Sequence, residues 1–255
     1  MSTLHQRHHT EVQIINDLHF ITIKDLASLL DVSEMTVRRD CAFLANQGLI
    51  KQVYGGVTSQ VPSEISSYVA TSELNKHTNI KERIAHKAIS LLKPNEVFFL
   101  DSGTTAATIA RLLPQKSAYT IITPSFLALE SLVRLDNSSI ICPGGAYLNK
   151  PRVLYNQDSA NALRHYRAGK CFIGVTGFHI DRGITCAYFE DVPLKKAMLD
   201  CSEERILVTD SSKLNTVSTC VFSEIETYSA VITDEGIPME YRDFIKSHGV
   251  ELHIV

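Results

Sequence analysis

No stretch of the 255-residue chain approaches the roughly 18 unbroken apolar residues of a membrane helix; its strongest run, Val97-Phe98-Phe99-Leu100, is strand-sized. The N-terminus, Met1 to His9, lacks the apolar core of a secretory signal, so the expectation is an unprocessed cytoplasmic protein with no membrane partner. Cysteine pairs at metal or redox spacing are missing too. Cys41, Cys142, Cys171, Cys186, Cys201 and Cys220 are scattered, no two form C-x-x-C, and they read as reduced, buried small hydrophobes. A basic excess is also absent. With 25 Lys and Arg against 28 Asp and Glu the net charge is -3, which argues against general electrostatic adhesion to nucleic acid. No internal repeat or low-complexity tract is visible. What remains, 44% hydrophobic and 21% charged residues, is the composition of an ordinary globular protein of one or two domains.

Two textures divide the chain. Residues 1–57 are helical in pattern, 58–78 contain a Ser- and Pro-bearing linker after Gly55-Gly56, and 79–255 alternate short apolar runs with helical stretches. In the first region Val12, Ile15 and Leu18 recur at helical spacing, which predicts a helix from about Leu4 to Leu18. Thr22 is positioned to cap a second helix carrying Leu26, Leu29 and Leu30. After the break Asp31-Val32-Ser33, Ser33 caps a third helix from Glu34 to about Gln47, which Gly48 ends. Helix, short turn, helix is the skeleton of a helix-turn-helix. Val37, Cys41 and Leu44 share one face of the third helix; Ser33, Thr36 and Arg39 share another, with Glu34 and Arg38 beside them. Hydroxyls and arginines near the start of a helix are what reading a DNA major groove requires, although an Arg-Arg-Asp run is more often a solvated face. Leu49 to Val57 reads as a hairpin wing that offers Lys51 and Tyr54 to phosphates.

Val32-Ser33-Glu34-Met35-Thr36-Val37-Arg38-Arg39-Asp40, followed by Leu44, Gly48-Leu49-Ile50 and Tyr54-Gly55-Gly56, resembles the winged helix-turn-helix of the DeoR family of bacterial transcription regulators. Cys41 departs from the family's usual leucine. The resemblance implies double-stranded operator DNA as a partner.

From Asn79 onward the pattern predicts an open, largely parallel α/β sheet. Strands are expected at Val97–Leu100, Tyr119–Thr123, Ser139–Cys142, Cys171–Val175, Ile206–Thr209, Ala230–Thr233 and Glu251–Val255. Small ligands bind such sheets beyond the carboxyl ends of the strands. There, Asp101-Ser102-Gly103-Thr104-Thr105 leads a strand into a helix N-terminus, whose free amides, hydroxyls and dipole suit a phosphate. Asp101 would repel phosphate and is better suited to a sugar hydroxyl or to the turn itself; Ser and Thr that merely cap the helix are the plainer reading. Further candidates are Thr123-Pro124-Ser125, Gly144 and Gly145, Gly174 to Gly177 with Thr176, and Asp210 to Lys213, joined by Lys81 and Lys195.

This region also resembles the DeoR-family effector domain, through Asp101 to Thr105, Pro143-Gly144-Gly145, Gly174 to Gly177, Gly183, Lys195-Lys196-Ala197-Met198 and Asp210 to Lys213. The resemblance implies a fold similar to ribose-5-phosphate isomerase, a phosphorylated sugar as effector and homo-oligomers. Pro124 stands where the family usually has Asn, and a glycine common after the Gly-Gly pair has no counterpart among Arg152-Val153-Leu154-Tyr155. Val97 to Asp101, Cys142 to Gly145, Phe178-His179-Ile180 and Gly183 to Lys195 are most like members that control deoxyribonucleoside operons, which makes deoxyribose 5-phosphate the expected effector. The rival reading is an isomerase with a DNA-binding appendage, with Asp181, Glu190, Asp191 and Lys195 as imaginable acid and base. No match to an isomerase's acidic loop is found, so a sensor rather than an enzyme is expected. His5, His8 and His9, near the chain start, read as a solvated cluster in preference to a weak metal site, and no Ser/His/Asp grouping can be argued for His86, His165 or His179. No catalytic residue, cofactor or metal is expected.

Overall fold

The computed structural model describes residues 3–18, 20–47, 49–53, 56–59 and 70–255. The chain divides into two compact units, residues 1–66 and 67–255.

The first unit holds helices α1 (Thr3–Leu18), α2 (Ile23–Leu30) and α3 (Glu34–Asn46) and strands β1 (Phe20–Thr22), β2 (Ile50–Val53) and β3 (Gly56–Ser59). Helices α2 and α3 each start on the expected cap. Thr22 accepts from the Asp25 amide, and Ser33 from the Thr36 amide, satisfying donors that a helix N-terminus leaves open. Asp31, left-handed at φ 53, ends α2 and lets the chain turn sharply into α3. The apolar face of α3, Val37, Cys41 and Leu44, packs with Ile15, Leu26, Ile50 and Val57 in one core. Cys41, in place of the family's leucine, is fully buried there. β1 was not expected: it adds to the wing hairpin, giving a sheet ordered β1-β3-β2. Gly48, Tyr54 and Gly55 lie outside the described residues.

The second unit opens with α4 (Ala70–Glu73), α5 (Thr78–Ser90), β4 (Val97–Leu100), α6 (Thr104–Leu112), β5 (Thr120–Ile122), α7 (Phe126–Leu132) and β6 (Ser139–Ile141). A hairpin, β7 (Ala146–Leu148) with β8 (Val153–Tyr155), leads through α8 (Ser159–Arg164) to β9 (Ala168–Gly174). Then follow β10 (Gly177–His179), β11 (Gly183–Cys186), α9 (Asp191–Asp200), β12 (Ser202–Val208), β13 (Cys220–Ser223), β14 (Ala230–Thr233), α10 (Met239–Ser247) and β15 (Glu251–Ile254). Ordered structure enters the segment expected as a linker from both sides, with Thr58 and Ser59 in β3 and Ala70–Glu73 in α4; residues 60–69 of it lie outside the described ones.

Seven strands form one parallel sheet in the order β15-β14-β12-β9-β4-β5-β6. Both faces are buried, as a parallel sheet requires. Phe98, Leu100, Phe172, Ile206 and Val208 point into one layer with α5 and α6; Phe99, Cys171, Ile173 and Leu207 point into the other with α9 and α10. From β4 the chain adds strands in one direction, and from β9 in the other. The order therefore reverses between β4 and β9, where the strand carboxyl ends open a crevice.

Lys170 is an exception in this apolar sheet. It is 3% exposed, and its Nζ donates to Glu96 at 2.7 Å with Glu204 at 3.3 Å. Removing one partner of a buried ion pair strands the other charge. Lys170→Ala is expected to lower unfolding free energy by about 3 kcal/mol, read from urea denaturation, without altering ligand affinity.

Candidate functional site

On α3 the residues expected to meet DNA are open to solvent: Arg38 is 67% exposed and Arg39 76%, and Glu34 is half-exposed. Arg38 reaches Glu34 only at 3.6 Å, a surface pair of little energetic consequence. The hydroxyls of Ser33 and Thr36 lie 2.9 Å apart, and Ser33 also caps the helix, so its first role is structural. Lys51 is exposed on β2. Tyr54 is not among the described residues. The acidic excess that the sequence shows in this unit is partly removed from the surface, because Glu11 and Asp40 are buried.

A cavity of about 580 Å³, its open mouth included, lies beyond the carboxyl ends of β4, β9 and β12. It brings together Lys81, Ser102, Gly103, Thr104, Thr105, Thr176, Lys195 and Lys213, all expected from sequence, with Gly174, Val175 and Asp210 from the same strand-end motifs. The N-cap of α6 is Gly103, at φ 98 and ψ 174, with no side-chain cap hydrogen bond. That positive φ favours glycine, and a residue without a side chain leaves the first-turn amides bare. The alternative in which Ser and Thr merely cap this helix is not what the structure contains. The first helical bond runs from the Ala107 amide to Gly103 O at 3.0 Å, leaving the amides of Thr104, Thr105 and Ala106 without a helical acceptor.

The lysines are not equivalent. Lys195, 3% exposed, donates to Asp101 and, at 2.9 Å, to Gly174 O. Burial opposes its charge, but Asp101 and Asp191 more than offset that and raise its pKa. Lys213 is paired with Glu73 at 2.9 Å, and Glu73 also takes Lys76 at 2.6 Å. Against burial, these hydrogen bonds hold the Glu73 carboxyl down to about 2. Lys81, 2% exposed, donates to the Glu73 carbonyl at 2.6 Å and has no acidic side chain within ion-pair distance among the described residues. Burial lowers its pKa, with Asp210 opposing, and an arriving anion would favour its charged form.

Three expectations are corrected. Asp101 does not line the cavity: its carboxylate faces Lys195 and accepts from the Gly174 amide at 2.9 Å, orienting the site from beneath. Gly144 and Gly145 lie outside the cavity lining, in the loop entering β7. At Gly145 an added Cβ would meet Tyr155 backbone at 2.3 Å, so glycine is needed there to close the hairpin. Gly177 pairs with Thr185 in β10, and a Cβ there would meet Thr216 O at 2.5 Å. Pro124 accepts from the Leu154 amide at 2.9 Å, so this position contributes to the backbone of the same hairpin. Arg152 takes the left-handed conformation itself, at φ 56, in the stretch where the family glycine has no counterpart.

Sequence reasoning missed Glu73, Pro151, Cys186, Val208 and Thr209 in the lining, and it considered Asp191 only as an enzyme's acid or base. Asp191 opens α9, 7% exposed, and its Oδ1 has no hydrogen-bond partner among the described residues. Burial pushes its carboxyl up to about 7, against the pull of Lys195 and with Asp101 adding to the rise.

The DeoR-like helix-turn-helix domain family matches residues 7–62, and the DeoR C terminal sensor domain family matches residues 76–235. The chain is 31% identical over 235 residues to the uncharacterized HTH-type transcriptional regulator YgbI of Escherichia coli strain K12, covering 91% of each. A presumed aga operon transcriptional repressor of Escherichia coli O157:H7 is 30% identical, over 98% of this chain and 93% of that one. The L-fucose operon activator of Haemophilus influenzae is 28% identical, over 94% and 95%. Ribose 5-phosphate isomerase A of Methanocaldococcus jannaschii superposes at a TM-score of 0.41, 19% identical over 55% of both chains. No helix among the described residues is long and apolar enough to cross a membrane. With both of its regions matched in order, the chain belongs to the DeoR family of DNA-binding transcriptional regulators.

Proposed function

We propose that this chain represses a sugar or nucleoside catabolic operon and leaves its operator when a phosphorylated sugar occupies the cavity beyond β4, β9 and β12. The observation that carries the reading is the uncapped N-terminus of α6 at Gly103, open to the same cavity as Lys81. Bare amides at the positive end of a helix together with a desolvated ammonium suit a phosphate dianion. Thr104, Thr105, Thr176 and Asp210 are the groups available to sugar hydroxyls. The effector we assign is deoxyribose 5-phosphate, supported by the sequence likeness around Asp101, Gly144-Gly145 and Gly183 to Lys195. The second unit holds subunits together as a homo-oligomer, so that paired winged helices meet operator half-sites. The sugar phosphate acts by unequal affinity for the DNA-bound and released arrangements. Isothermal titration with deoxyribose 5-phosphate, ribose 5-phosphate and free deoxyribose tests the site: the first should bind tightest, and the unphosphorylated sugar should not bind.

The titration of Asp191 gives the binding a pH dependence. Its raised carboxyl favours the neutral form, so its contribution to folding is fully present below the ordinary carboxylate pKa and is lost as pH rises through about 7. The charge that appears then repels phosphate. Effector affinity should fall from pH 7 to pH 8.5, and Asp191→Asn should flatten that profile in the same titration.

The same residue is the observation that favours an enzyme, because an enolising base needs a pKa near the working pH. Incubation with ribose 5-phosphate decides: a sensor leaves the aldose unchanged, whereas ketose formation lost in Asp191→Asn would establish the isomerase reading.

A further inference from the structure

The first unit contains a second polar cluster, remote in sequence from the cavity residues. Glu11 occupies an inward position of α1, one turn before Ile15, and is 0% exposed. Neither of its carboxylate oxygens has a hydrogen-bond partner among the described residues. His8, on the same helix, stacks its ring on Phe43 of α3 with centroids 5.1 Å apart, and its buried Nε2 also lacks a hydrogen bond. Asp40, on the inner side of α3, is 3% exposed. Arg7 holds Asp40 Oδ2 through two nitrogens, at 2.7 and 2.6 Å, and Oδ1 lies 3.5 Å from His8 Nε2. One ligand atom from each of His8, Glu11 and Asp40 falls within 4.8 Å of the other two.

We propose that His8, Glu11 and Asp40 bind a divalent transition-metal ion of the zinc class, clamping α1 to the groove-reading helix α3.

Unpartnered buried carboxylate oxygens are costly unless a proton or a cation meets them. One imidazole and two carboxylates form a mixed nitrogen and oxygen set, which suits Zn²⁺ and its transition-metal neighbours better than the all-oxygen preference of Ca²⁺ or Mg²⁺. Two ligand atoms about 2.1 Å from a tetrahedral ion stand about 3.4 Å apart. The 3.5 Å between His8 Nε2 and Asp40 Oδ1 matches, and a carboxylate oxygen of Glu11 lies within 4.8 Å of both. Water completes the fourth position. Arg7 orients Asp40 from its other oxygen, as outer partners commonly do for a metal-bound carboxylate. The alternative occupant of this buried, unpartnered carboxylate is a proton, which the ion must displace. Because α3 carries Arg38 and Arg39 on its outer side, an ion held on its inner side stabilises the DNA-reading unit itself.

The test is a titration of the tag-free, metal-stripped full chain with Co²⁺ and Zn²⁺, by visible absorption and calorimetry. One equivalent should bind, with ligand-field bands, without thiolate charge transfer, and with a rise in melting temperature. Even outer partners of a metal ligand are worth about 10- to 100-fold in affinity, so Glu11→Gln should weaken Zn²⁺ by more than about 100-fold. Glutamine mimics the protonated carboxyl, so this variant is expected to fold as the parent does. Replacing His5 and His9 by alanine together should leave the affinity unchanged. Absence of binding, binding that survives Glu11→Gln, thiolate bands from the cysteines, or loss of binding with His5 and His9 would each overturn the site.

Discussion

Arg39→Ala is expected to lower operator affinity by about 1–3 kcal/mol, roughly 5- to 150-fold, and to relax base preference at one operator position if the guanidinium reads a base edge. Arg39 is 76% exposed near the N-terminal half of α3, and among the described residues its one ion pair is a long 3.9 Å approach to Asp40. It is therefore free to leave that partner for DNA at little cost. Because the apolar face of α3 turns the other way, through Val37, Cys41 and Leu44, the substitution leaves the core intact. Melting temperature and sugar-phosphate binding should match the parent chain. Lys51→Ala, by contrast, should weaken binding to all sequences alike and reduce the salt slope by about one. Filter binding or anisotropy at several salt concentrations separates the two behaviours.

Gly103→Glu is expected to produce a chain that remains on its operator when sugar phosphate is added. Two effects act together. A residue with a Cβ at φ 98 is strained by about 1–3 kcal/mol. A carboxylate placed at the bare end of α6 also caps the amides and repels the incoming anion. Effector affinity should drop by more than about 100-fold, on the order of 3 kcal/mol, while operator affinity stays at the parent value. Gly103→Ala, which introduces strain without charge, should fall between the two. Normal release of the Gly103→Glu variant would remove the α6 N-terminus from the account.

The two elements that bear on function were legible for different reasons. Thr22 and Ser33 announce helix starts because capping is a local interaction, completed within three residues, and the structure contains both hydrogen bonds. The strands were legible as short apolar runs, since a parallel sheet covered on both faces needs no alternation. Ala168–Gly174 and Ser202–Val208 begin earlier than expected because Lys170, Glu203 and Glu204 interrupt the apolar pattern at the start of those strands. β1 was hidden: three residues ending on a helix cap carry no periodicity, and only pairing with β3 makes them a strand.

In the candidate site, the motifs Ser102 to Thr105 and Asp210 to Lys213 were legible because strand ends and helix starts are local. Their electrostatics were not. Lys195 and Asp101 are 94 residues apart, and Lys213 and Glu73 are 140 apart, so no spacing rule joins them. The charge balance of the first unit is not legible from a residue count for a related reason. A count of Arg7, Lys24, Arg38, Arg39 and Lys51 against six acids treats every charge as surface, whereas Glu11 and Asp40 lie inside and Arg7 is engaged with Asp40. Helical spacing did contain a hint, since Glu11 lies one turn before the core residue Ile15.

The measurement that bears most directly on the account is fluorescence anisotropy of DNA from this gene's own upstream region, titrated with the full chain at fixed salt and repeated with deoxyribose 5-phosphate and with ribose 5-phosphate. The account predicts tight binding that deoxyribose 5-phosphate reverses at concentrations where ribose 5-phosphate does not. Tight binding that no phosphorylated sugar alters would contradict the coupling of the two units.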